Sequence, residues 1–149
     1  MLKTALVGLC VTLFLAIPFA TAIPANVAAA QGYTIVPGNP IAFVTSYYGG
    51  ATLPVRFTLL NPEGNPVADA NATMWVWWPG LPAPIAGTAS GKSNLGMGNM
   101  FRFDPDGMMY MYTLNTKPFP AGPGSGQVTF IIKVTQPAAL EWSTMIHLN

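Results

Sequence analysis

Five methionines, Met97, Met100, Met108, Met109 and Met111, crowd one short segment of the chain. Thioethers are soft ligands that suit Cu(I), and Met108, Met109 and Met111 are the candidates to hold it. Histidine usually completes such a site, and the only one in the sequence is His147, far along the chain. Methionine also fills irregular cores well, and that is the favoured reading. Asp104 and Asp106, in "DPDG", bring two carboxylates together as for Ca²⁺. Calcium takes six or more oxygens, and no other Asp or Glu lies within ten residues, so "DPDG" reads as a turn with Gly107 taking the awkward backbone angle. No general base or nucleophile pairs with a partner: the one cysteine is Cys10, near the start, and His147 has only the distant Glu141. Neither an enzyme nor a cofactor is expected.

The third cluster is aromatic. "NATMWVWWPG" (71–80) carries Trp75, Trp77 and Trp78. Side chains of a strand alternate between its faces. Ala70, Ala72, Met74, Val76 and Trp78 then share one side, small and aliphatic at its start, which is the core side. Asn71, Thr73, Trp75 and Trp77 share the other. Trp75 and Trp77 are expected to stand side by side outside the core, with Trp142 of the last strand as a third member of an aromatic contact surface. Tryptophan dominates interface hot spots, and its ring face also stacks on sugars. The competing reading has the chain's own proline-rich loop or N-terminal arm folded over the rings.

The elements that must position these residues are all strands. Short β-branched and aromatic runs recur between Gly, Pro and Asn punctuation, without helical periodicity, the pattern of an all-β sandwich. Seven strands are expected: 41–47, 54–60, 67–78, 99–103, 108–114, 128–134 and 140–148. Val55, Phe57 and Leu59 face one way on the second, and Val128, Phe130, Ile132 and Val134 on the sixth. Residues 61–66 are a turn, and 79–98, rich in Gly, Pro and Ala, a long loop.

The first 22 residues carry Lys3, an apolar run, and Ala20-Thr21-Ala22, the form of a secretory signal peptide. Cleavage falls after Ala22 or Ala30, and an uncleaved membrane anchor is the alternative. Residues 23–40 read as an extended arm that could pair with the sheet edge of a neighbouring copy, and 41–149 as one domain. Without the leader, five cations face five carboxylates. No basic patch is left for phosphates, which disfavours nucleic acid. Charged residues are 7% of the chain, so a secreted domain of this kind resists association poorly.

Three stretches, "YYGGATLPVRFTLLNPEGNPVADANATMWV", "NMFRFDPDGMMYMYTLNTK" and "GQVTFIIKV", resemble the bacterial secreted PxKF domain. The matching residues are Pro54, Phe57, Gly64, Val67, Asp69, Ala70, Phe101, Asp104, Gly107, Tyr110, Tyr112, Leu114, Thr116 and Lys117. The resemblance spans about residues 47 to 149. Arg56 stands where the family has its naming lysine, and Pro118 where it has a glycine. The resemblance implies an Ig-like antiparallel sandwich in a secreted setting, and supplies no catalytic residues. The expected function is a secreted, non-enzymatic module that binds a protein partner or itself through the aromatic face. Its rivals are a carbohydrate-binding module using Trp75 and Trp77, and a Met-rich periplasmic copper protein.

Overall fold

A computed structural model describes residues 32–39, 41, 46–47, 49–90, 97–119 and 126–149. Among them run nine strands: β1 (Thr34–Pro37), β2 (Ser46–Tyr47), β3 (Thr52–Leu60), β4 (Asn71–Trp77), β5 (Ile85–Ala86), β6 (Arg102–Asp104), β7 (Met109–Asn115), β8 (Gln127–Gln136) and β9 (Leu140–Leu148). No helix occurs among the described residues. The strands form a four-stranded sheet, β1-β3-β7-β6, and a five-stranded sheet, β2-β9-β8-β4-β5. All pairings are antiparallel except β2 with β9.

Period-two alternation sets which residues enter the core. On β3, Leu53, Val55, Phe57 and Leu59 are buried while their neighbours are not. Tyr110, Tyr112 and Leu114 do the same on β7 and Met74 and Val76 on β4; on β8 Val128, Phe130, Ile132 and Val134 are buried, and so is Ile131 between two of them. The inner faces of both sheets merge into one hydrophobic cluster, the arrangement of a β-sandwich. Phe57 is central to it: its ring stacks on Tyr110 at 4.9 Å and meets Phe101 edge-on at 5.0 Å.

The structure redraws several boundaries. Residues 34–37 are not a free arm but β1, paired with β3 from Thr34↔Leu60 to Pro37↔Phe57. Ile35 is 4% exposed, within the core, and Pro37, with no N–H to give, sits at the end of an edge strand, where proline is tolerated. The sandwich therefore begins by Thr34, not at residue 41. The signal peptide and most of the expected strand 41–47 lie outside the described residues. The long loop 79–98 contains β5, whose Ile85 and Ala86 pair with Val76 and Trp75. In the β6–β7 turn the left-handed residue is Met108, with φ of 49°, and not Gly107. A four-residue hairpin loop puts its last position there. At Gly107 an added Cβ would come 3.1 Å from an Asp104 carboxylate oxygen and 3.1 Å from the Met109 methyl, a tight fit against side-chain ends.

Two buried tyrosines tie loops to the sheets. The Tyr110 hydroxyl accepts from Ala70 N at 2.7 Å and donates to Val67 O at 2.9 Å, fixing the approach to β4. The Tyr112 hydroxyl lies 2.7 Å from Gly87 O and 3.2 Å from Gly98 O, holding both ends of the segment between them. Tyr112→Phe leaves those carbonyls without the donor and should cost about 1–3 kcal/mol. Denaturant titration measures the loss, and limited proteolysis should show faster cutting between residues 87 and 98.

Burial pushes the Tyr112 phenol up to about 12. Burial also raises that of Tyr110, the Ala70 N–H working against it and Asp69 adding to it. In the unfolded chain both titrate near pH 10. The unfolded state therefore releases its protons first, so the stability present below pH 10 is lost as pH rises toward 12. Melting temperatures across that window should fall in the wild type, and fall less steeply in Tyr112→Phe.

Candidate functional site

On β4 the inward set is Ala72, Met74 and Val76, and Trp75 and Trp77 emerge from the opposite side. Register then builds the outer face of the five-stranded sheet row by row. Trp75 lies beside Ile131, which lies beside Ser143; Trp77 beside Thr129 and then Met145; Thr73 beside Lys133 and then Glu141. Side chains directly across strands stand about 5 Å apart, so each row is in contact distance.

This face has an apolar patch of its own. Ile131 points away from the core yet is 7% exposed, while Met145 is 40% exposed. Only neighbours on the outer face can cover Ile131, and Trp75 is its direct partner on β4. The Trp75 indole N–H donates to Thr73 Oγ1 at 3.0 Å, which leans the ring back along its strand. Lys133 Nζ sits 5.6 Å from the ring centroid and 3.2 Å from Glu141 Oε2. That ion pair is exposed and contributes little stability. The Trp77 N–H donates to Leu81 O at 3.1 Å, so the start of the proline-rich loop returns against that ring's edge. Both indoles are half-buried, and with their N–H groups satisfied internally they offer ring surface and no donor.

Trp142 does not join them. It pairs with Ile132 across β8 and β9, shares its inward parity, and is 8% exposed within the core cluster. Parity along "LEWSTMIHL" decides this: Leu140, Trp142, Ile146 and Leu148 are the buried residues, with Thr144 half-buried between them. Trp78 packs inward on Phe119, ring centroids 5.4 Å apart. Ile131 and Met145 are the members that sequence reasoning missed. A signal existed for Ile131, an aliphatic residue on the otherwise polar side Gln127, Thr129, Lys133.

The metal candidates separate. Met109 and Met111 alternate with the inward Tyr110 and Tyr112, and so lie on the outer face of the four-stranded sheet, with Met108 in the adjoining turn. His147 pairs with Gln127 on the outer face of the other sheet. The whole sandwich stands between the thioethers and the imidazole. Asp104 faces Met109 across the β6–β7 hairpin, Asp106 is exposed in the turn, and no group of three His, Cys, Asp or Glu converges among the described residues.

No family model, no curated protein and no solved structure matches this chain.

Proposed function

We propose that this chain is an exported, Ig-like, non-enzymatic contact module that buries the outer face of its five-stranded sheet against a protein surface, in the first instance a second copy of itself. The observation that carries the reading is the placement of Trp75, Trp77, Ile131 and Met145 together outside the core. Met145 is exposed and the two indoles are half-buried beside the sheltered Ile131, and apolar side chains grouped on an outer face mark interaction sites. Lys133 and Glu141 are the charged pair on the face. A two-fold partner can set the lysine of one copy against the glutamate of the other, as an isologous interface requires.

The Ig-like part is supported by strand order. The sheet β1-β3-β7-β6 follows the order of strands A, B, E and D of an Ig domain, and β9-β8-β4 that of G, F and C. The PxKF resemblance fits the same frame. Pro54 and Phe57 lie on β3, Asp104 and Gly107 shape the β6–β7 turn, and the buried Thr116 hydroxyl donates to Ala51 O. Export rests on residues 1–22.

Size-exclusion chromatography of the mature chain tests the reading. Elution should move to larger size with concentration, and Trp75→Ala or Trp77→Ala should each suppress the shift. Retention on insoluble polysaccharide, lost in the same variants, would assign the face to sugar instead.

A further inference from the structure

The opposite outer face is different in kind. Register sets Arg56 of β3, Met111 of β7 and Arg102 of β6 side by side in one row. Adjacent strands are about 4.8 Å apart, so the two arginines flank Met111 at roughly 10 Å. Both are exposed. The described cations are Arg56, Arg102, Lys117 and Lys133, so two of the four share this row. The one ion pair among the described residues is Lys133 with Glu141, and neither arginine has a carboxylate partner. Asp104 is on the same face, two residues from Arg102, but its Oδ2 is turned into the β6–β7 turn, 3.1 Å from where a Gly107 Cβ would stand. Beside Arg56 opens a recess of about 210 Å³ lined by Gly38, Asn39, Arg56, Phe57, Thr58 and Met109.

We propose that this face is a second binding site, taking an acidic polysaccharide whose anionic groups engage Arg56 and Arg102 while an intervening sugar lies over Met111. Guanidinium forks suit carboxylate and sulfate, which accept two parallel N–H bonds. Two cations held a fixed distance apart select a ligand with repeated anionic groups over a single small ion, because the second contact is then intramolecular. The backbone of β3 and β7 is already paired within the sheet. An acidic peptide lying on this face could gain no strand pairing from it, whereas a polysaccharide is held through its anionic groups and ring faces and needs none. The recess beside Arg56, walled by Met109 and Phe57 with Asn39 and Thr58 at hand, offers both apolar and polar contacts to one sugar ring.

The test is binding of the mature chain to immobilised polygalacturonate and to dextran sulfate, with neutral dextran and polyglutamate as comparisons, over a range of salt concentrations. Retention on one or both acidic polysaccharides is expected, carboxylate and sulfate being distinguished by which is held, with none on dextran. Arg56→Gln and Arg102→Gln keep the side-chain stem and remove the charge. Each should weaken binding about tenfold and lower the slope of log K against log salt by about one, as loss of one counterion-releasing contact requires. Asp104→Asn should strengthen binding, an effect no structural role predicts. Melting temperatures should be unchanged in the arginine variants, and at concentrations where both are monomeric the Trp75→Ala/Trp77→Ala variant should bind as the wild type does, which separates this site from the aromatic face. Absence of retention on both acidic polymers, unaltered binding by the double glutamine variant, or equal binding to polyglutamate would overturn the proposal.

Discussion

Phe57→Ala should lower the unfolding free energy by about 3–5 kcal/mol, the cost of emptying a buried aromatic position. Phe57 is 1% exposed on β3, between Tyr110 and Phe101. Removing the ring takes away the stacked partner of Tyr110, whose hydroxyl holds Ala70 and Val67, so the cavity adjoins the hydrogen bonds that set the entry into β4. Little collapse is available, because the surrounding positions are strand residues fixed by register on both sides. A single domain has about 5–15 kcal/mol in total, so this one substitution should consume a large share. Urea unfolding followed by far-UV circular dichroism reads it directly; a loss under about 1 kcal/mol would mean the ring is not where the sandwich places it.

The second large effect concerns binding. Trp75→Ala/Trp77→Ala should weaken self-association at least about 30-fold, the equivalent of a hot spot of 2 kcal/mol or more. Its effect on folding should be smaller than that of Phe57→Ala, because neither indole is part of the core cluster. It will not be zero. Trp75 shelters Ile131, and its loss exposes that side chain and removes the Lys133 contact. Trp77→Ala should be the milder of the two for stability, giving up one hydrogen bond to Leu81 O and its ring packing.

Much of the fold was legible because period-two alternation is a local signal. Residues 54–60 alternate cleanly, and Val128, Phe130, Ile132 and Val134 face inward as expected, although Ile131 between them is also buried. The outward parity of Trp75 and Trp77 followed from the same rule applied to "NATMWVW". Where reasoning failed, the deciding physics was not local. Nothing in Thr34–Pro37 alone says that the edge of β3 is free to receive it, so a strand read as an arm. β5 is two residues long, too short to carry a pattern, and exists because the edge of β4 offers partners. Trp142 was grouped with the outer tryptophans by residue type, although its own parity with Leu140 and Ile146 placed it inside. At "DPDG" composition identified the turn but not its backbone, since loop length and not the presence of glycine set the left-handed position.

The most direct measurement is sedimentation equilibrium of residues 23–149 beside the same chain carrying Trp75→Ala/Trp77→Ala, with circular dichroism confirming that both are folded. The wild type should show a reversible, concentration-dependent increase in mass that the double variant lacks. A wild type that stays monomeric up to about 1 mM, where association would be worth less than roughly 4 kcal/mol, or a double variant that associates as strongly, would contradict it.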